Sequence, residues 1–385
     1  MKLSVLAISS LAALSGSAFA QSTVTIYGLL DANMGSYKTN VGVNAAGAGV
    51  STGAVAVTGL TQLKIDSGGL NGSRWGIRVS EDLGGGLSVT GNLEGGINLD
   101  TGSSAQGGLL FGRRAAVGLR GSFGTVLIGR NTSPYDDVSS DHSAMAPSPF
   151  DPANTNNGPS AATAGALNTA SGAATMLNRD GRAWLGYNTR FNNSVKYTTP
   201  VMSGFSASAM YALGEDKTTA VGASRSLSAH VKYANGPLLV SGAYQSEGGP
   251  RTVTAQPTLE NALLSFSYDF KVVKLGVGFN RATLREVLAG GASLAAQKEF
   301  SVSASMPVGA ATLSAAYAQG NGNDLGKSSG FGVQAIYAMS KRTTLYAGAV
   351  NTKPFDKLAA RTKTAFPTSN VGNTLIYAAG IRHTF

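Results

Sequence analysis

Between Thr23 and Phe385 segment after segment alternates between apolar and polar side chains with a period of two, and that period leaves few folds open. Successive side chains of a β-strand point to opposite faces, so each such run makes a strand with one greasy and one wet side. In the first segment Val24, Ile26, Gly28, Leu30, Ala32 and Met34 share one face, and Thr25, Tyr27, Asp31 and Asn33 share the other. The pattern returns as Trp75, Ile77 and Val79 against Arg74, Arg78 and Ser80, and as Leu227, Ala229 and Val231 against Ser228, His230 and Lys232. Sixteen segments of this kind can be counted, at 23–35, 72–81, 86–98, 109–121, 124–131, 188–200, 203–214, 225–235, 236–247, 259–270, 272–283, 297–307, 309–320, 329–340, 342–352 and 373–385. Most have about the 9–11 residues with which a tilted strand crosses a bilayer. After residue 20 no stretch approaches the roughly 18 apolar residues of a transmembrane helix, which a membrane barrel does not need.

The connections alternate in length. Short ones lie at 82–85, 121–124, 200–204, 234–237, 270–272, 307–309 and 340–343. Long ones lie at 36–71, 99–108, 131–187, 215–224, 248–258, 284–296, 321–328 and 353–372. An up-and-down barrel of an outer membrane has short periplasmic turns and longer external loops, whereas a soluble β-sandwich has no reason to keep that asymmetry. The expected fold is therefore all-β, a 16-stranded antiparallel transmembrane β-barrel whose two ends lie on the periplasmic side. Aromatic residues on the apolar parity gather near strand ends, among them Tyr197, Phe205, Tyr268, Phe270, Tyr317 and Tyr337, as interfacial girdles do.

Residues 1–20 carry the pattern of a cleaved secretory signal: Lys2, an apolar stretch Leu3 to Leu14, and Ala18-Phe19-Ala20 before Gln21. That leaves 21–385 as one barrel domain, with 153–175 a low-complexity loop inside it and no linker. The chain has no cysteine, which excludes thiolate metal sites and Cys nucleophiles. Its formal charge is +10, yet export makes nucleic acid an unsuitable partner.

Several stretches have a family likeness together. They are Ser73-Arg74-Trp75-Gly76-Ile77, Ser80 to Gly86 (SEDLGGG), Leu110-Phe111-Gly112-Arg113, Gly121-Ser122-Phe123-Gly124, Gly129-Arg130-Asn131, Asn193 to Pro200, Ser340 to Tyr346 and the terminal Gly380 to Phe385. Over Ser22 to Phe385 the chain resembles the general porins of Gram-negative bacteria, in their beta-proteobacterial branch. The resemblance implies a sixteen-stranded homotrimer in the outer membrane, in contact with lipid and lipopolysaccharide, that passes ions and small hydrophilic solutes. It implies a terminal strand read by the barrel-assembly machinery, here Phe385 with Tyr377, Ile381 and His383 on its parity. It also implies a third external loop folded inward to narrow the pore, which corresponds to 131–187 and carries Asp136, Asp137, Asp141 and Asp151. Across from that loop the family places arginines on the wall. The candidates, taken as lumen-facing by parity, are Arg74, Arg78, Arg114 and Arg130.

Lys196, Lys232, Lys274 and Arg382 are also inward by parity, so a positive lumen and a preference for anions are expected. No catalytic site, metal or cofactor is expected. Asp141-His142-Ser143 holds the residue types of a hydrolytic triad, but three consecutive loop residues rarely form its geometry. Gly326-Lys327-Ser328 lacks the glycine five residues earlier, where Asn321 stands, and so misses a phosphate-binding loop. His230 and His383 lie on opposite parities and make no metal pair.

Overall fold

The computed structural model describes residues 22–38, 61–145, 148–153, 183–287, 291–353, 355–357 and 373–385. The signal segment 1–20 and nearly all of 153–175 lie outside the described residues. Alternating side chains allow a strand to turn its polar face in and its apolar face out, and sixteen wall strands do so. They are β1 (Thr23–Lys38), β2 (Thr61–Ser67 and Arg74–Gly84), β3 (Leu87–Asn98), β4 (Arg114–Gly121), β5 (Gly124–Thr132) and β6 (Arg190–Thr198). They continue as β7 (Phe205–Leu213), β8 (Arg225–Asn235), β9 (Leu238–Gly248), β10 (Thr258–Asp269) and β11 (Lys274–Arg285). The last are β12 (Gln297–Val308), β13 (Ala311–Gly322), β14 (Gly326–Ala338), β15 (Thr343–Lys353) and β16 (Thr374–Thr384).

Every neighbour in this order pairs antiparallel, and β1 closes on β16 from Leu29↔Thr384 to Lys38↔Leu375. Gly28 and Phe385 extend the seam by exchanging backbone hydrogen bonds of 3.2 and 3.1 Å. A closed wall leaves no unpaired edge, which is what a bilayer demands of a sheet. Outward side chains such as Ile26, Val117, Ile128, Leu264 and Phe331 stay exposed, while the buried set includes Ser228, Gln245, Glu247, Asn261, Asn280 and Glu299. The interior is thus polar and the exterior apolar, the inverse of a water-soluble domain.

Strand boundaries fall within a few residues of the expected ones, with three departures. One is β4, which is expected from 109 and begins at Arg114. The first long connection, expected over 36–71, shrinks to 39–60, because β1 runs to Lys38 and β2 begins at Thr61. The cluster Gly68-Gly69-Leu70-Asn71-Gly72 reads as turn, yet it interrupts β2 without ending it. Both pieces pair with β1, Ser67 facing Ala32 and Arg74 facing Leu29. The connection expected over 321–328 is only 323–325, because Asn321↔Lys327 and Gly322↔Gly326 continue the β13–β14 ladder outward.

At the seam, Gly35 of β1 sits where a Cβ would stand 2.3 Å from the carbonyl oxygen of Tyr377 and 2.5 Å from Ala378 Cβ. Gly35→Val would push β1 from β16, an overpacking penalty of about 1–3 kcal/mol. The expected result is a lower unfolding temperature, read as the loss of the compact, fast-migrating form on electrophoresis. A wild-type transition would show the seam to be more tolerant than its geometry requires.

Candidate functional site: the interior of the barrel

The connection between β5 and β6 folds into the barrel instead of standing above it. Ser133 caps a short helix, Pro134–Val138, by accepting the Asp136 amide at 3.1 Å. The helix lies on β8 and β11: the Tyr135 amide donates to Ser228 Oγ at 2.9 Å, Pro134 O is 2.8 Å from His230 Nδ1, and Tyr135 OH donates to Asn280 Oδ1 at 3.0 Å. Farther on, the Ala144 amide donates to Ser303 Oγ of β12 at 2.7 Å. Phe150 is 0 % exposed and lies against β15, where a Cβ on Gly348 would fall 2.4 Å from its ring. Burying that ring contributes about 1.5–3 kcal/mol to docking.

The returning limb is held by two wall carboxylates. Glu299 of β12 accepts the Leu185 amide at 2.6 Å and Asn280 Nδ2 at 2.6 Å. Glu247 of β9 accepts the Asn188 amide and side chain at 2.8 and 2.5 Å, and Gln245 Nε2 at 2.7 Å. A backbone taken out of water must find partners, and the wall supplies them from its polar row.

The four loop acids have partners of their own. Asp137 pairs with Lys196 of β6 at 2.5 Å, and Asp141 with Lys232 of β8 at 3.0 Å. Asp136 accepts from Tyr187 OH at 2.9 Å. Burial holds its carboxyl above the usual carboxylate range, against the pull of the Arg190 and Arg113 charges. Asp151 accepts from Ser143 Oγ at 2.5 Å and from the Ala153 amide at 2.9 Å. The triad residue types diverge: Asp141 goes to Lys232, His142 Nδ1 to Ser301 Oγ at 3.0 Å, and Ser143 to Asp151.

The basic wall differs in membership from the parity reading. Arg74 and Arg78 lie on the polar face of β2; Arg74 Nε donates to Gly72 O at 2.9 Å, and Arg78 stacks 4.6 Å from the Tyr27 ring centroid. Arg114 donates to Thr132 Oγ1 at 2.8 Å. Arg130, expected to face the lumen, stands two residues from outward Ile128, so that direction does not follow from alternation. Strict alternation would group it with that residue, but the β5–β6 register shifts between Gly129 and Asn131. Its guanidinium is bound to Gly112 O at 2.8 Å and Asn192 Oδ1 at 2.5 Å, and the residue is 8 % exposed, so it does not project freely into the lumen.

Two arginines that the parity reading passed over join the group. Arg113 pairs with Glu94 of β3 at 2.7 Å, and Arg190 Nε donates to Arg113 O at 3.0 Å. A Cβ on Gly72, whose carbonyl holds Arg74, would lie 3.3 Å from Arg113 Nη1. Arg74, Arg113, Arg130 and Arg190 thus gather round Gly72 and Gly112, with Glu94, Asp136 and, on the side of Arg74, Asp31 as the neighbouring carboxylates. Arg190 shares Lys196's parity, so a signal for it existed. Arg113 falls inside the strand expected from 109, on the parity opposite Arg114, but β4 begins only at Arg114, so that alternation does not reach it. Glu247 and Glu299 sit on polar parities, but their loop partners had no sequence signal.

A closed barrel with an inward loop and a charged opening is the architecture of a membrane channel. A family model described as Gram-negative porin matches residues 7–354. Outer membrane porin protein 32 of Delftia acidovorans is 32% identical over 357 residues, which cover 90% of this chain and 88% of that protein. An outer membrane porin protein of Bordetella pertussis is 33% identical over 299 residues, covering 74% and 70%. The solved anion-selective porin from Comamonas acidovorans superposes with a TM-score of 0.69 at 25% identity, over 95% of this chain and 100% of that one. The chain belongs to the Gram-negative porins, outer-membrane β-barrel channels that are not enzymes.

Two outcomes follow for the loop. Glu247→Ala strands the two Asn188 donors, while Gln245 Nε2 keeps Asn188 O, and each buried donor left unsatisfied costs about 1–3 kcal/mol. The expected result is faster proteolysis of the loop in an otherwise folded barrel and a noisier open-channel current; wild-type behaviour in both would refute the anchoring role. His142 makes the docking of the loop sensitive to pH. Burial pushes its imidazole below the usual histidine value, resisted by Asp151 and Asp141. The neutral ring is the form that fits, so docking is full above the ordinary value of about 6.5 and weakens as pH falls through the depressed one. Channel noise should rise on acidification from about pH 7 to about pH 5, and His142→Gln should flatten that dependence.

Proposed function

We propose that the chain is a general diffusion porin whose opening favours anions. The observation that carries the reading is the imbalance of charge at the opening. Asp137 and Asp141 are neutralised by Lys196 and Lys232, while Arg74, Arg113, Arg130 and Arg190 outnumber the carboxylates beside them, Glu94, Asp136 and the buried Asp31. Fixed positive charge beside a narrowing raises the local concentration of anions and lowers that of cations. The likeness to a porin described as anion-selective agrees in direction. Ions and small hydrophilic solutes move down their gradients, with no energy coupling.

The working unit proposed is a homotrimer seated among outer-membrane lipid and lipopolysaccharide, after removal of residues 1–20. OmpT of Vibrio cholerae, which shares the fold at a TM-score of 0.60 and 16% identity, is described in a trimer form. The terminal strand would present Tyr377, Ile381 and Phe385, all about half exposed, to the assembly machinery, with His383 bonded to Thr343 Oγ1 at 2.9 Å.

Reversal potentials across a planar bilayer in a salt gradient test the selectivity. Wild type should favour anions, and neutralising Arg74, Arg113 and Arg190 together should cut the anion-to-cation permeability ratio by roughly severalfold. A cation preference in wild type would overturn the reading.

A further inference from the structure

Strand β2 carries more chain than the wall can use. Ser67 faces Ala32 and Arg74 faces Leu29, so the six residues Gly68–Ser73 stand against only Leu30 and Asp31. Four residues are in excess, and they go inward. Leu70 is 1 % exposed and packs with Met145 and Phe150 of the docked loop and with Tyr346 and Val350 of β15.

One side chain organises this bulge. Asp31 is 0 % exposed, and its carboxylate accepts the amides of Gly69, Leu70 and Asn71 at 3.0, 2.9 and 2.8 Å, together with Tyr346 OH at 2.5 Å. Consecutive amides turned into one concavity form an anion nest, and here the anion is a residue of the neighbouring strand. Ser73 Oγ completes the clamp, donating to Asp31 O and accepting from Asp31 N, each at 2.9 Å. The inner surface of the bulge then reaches two wall cations: Asn71 Oδ1 accepts from Arg382 at 2.7 Å, and Gly72 O accepts from Arg74 at 2.9 Å.

We propose that Gly68–Ser73 is a second constriction element, borne by the wall itself, with Asp31 as its positioning residue and Arg74 as the charge it aims at the opening. The inference rests on the diffusion-channel reading above. Wall pairing gains nothing from the surplus residues, since removing four would leave one continuous register between β1 and β2. Their contribution is to the interior: they fill the sector beside β15, β16 and β1 and meet Met145 and Phe150 of the loop there. Only a carboxylate suits the anchor, because its two oxygens accept without donating, whereas an amide would turn an NH2 towards backbone N–H groups.

The test uses the full-length barrel in planar bilayers, with the compact electrophoretic form and unfolding temperature as controls for folding. Deleting Gly69–Gly72 should raise single-channel conductance by roughly 1.3- to 2-fold, since ion flow follows the narrowest cross-section. Asp31→Asn should raise current noise without moving the unfolding temperature to match. The natural chain has no cysteine. Asn71→Cys therefore offers one target for a negatively charged methanethiosulfonate reagent, whose attachment should lower the current; this arm decides alone if the deletion does not fold. A folded deletion variant with wild-type conductance, or a labelled Asn71→Cys channel with unchanged current, would overturn the proposal. An absence of current from wild type would instead overturn the channel reading on which it rests.

Discussion

Closure of the backbone ladder is the constraint from which the rest of the molecule follows. A bilayer offers no hydrogen bonds, so every strand must find a partner on both sides, and the β1–β16 seam supplies the last of them. Once the wall satisfies itself, its side chains are released from that task. Those outside need only be apolar. Those inside can be polar without penalty, and they become the docking surface for a loop whose own backbone has left bulk water.

That surface explains the unusual content of the buried set. Gln245, Glu247, Asn261, Gln297 and Glu299 are among the most enclosed residues of the described chain. Gln245, Glu247 and Glu299 bond to the loop that covers them, while Asn261 bonds to Asn280 and Gln297 to Gly326 O. Among the described residues, apolar packing gathers mainly where the loop meets the wall, as where Phe150 and Met145 meet Leu70, Tyr346 and Val350. The loop and the β2 bulge share this one cluster, so each braces the other.

Charge at the opening is decided by pairing and not by the overall count. The formal +10 of the chain says little about the pore. Loop aspartates dock the loop on wall lysines, wall glutamates hold loop amides, and the arginines near Gly72 and Gly112 remain in excess over the carboxylates beside them. The proposed preference for anions rests on this remainder, left after the acids have found structural partners.

The amino-acid order by itself determined the strands, their facing, the alternation of short and long connections, and hence the barrel. These are local properties, legible because one residue's step reverses the direction of its side chain and because turn residues mark chain reversals. It also singled out the loop and its four aspartates. Only the tertiary structure decided which charges meet: Asn188 finds Glu247 across 59 positions, Ala144 finds Ser303 across 159, and Tyr346 finds Asp31 across 315. Alternation failed at Arg130, where a register shift breaks the period, and at Gly68–Ser73, where glycines that spell a turn build a bulge within a strand. Parity tells which way a side chain points, but the partner waiting there is set by how the closed wall brings distant segments together.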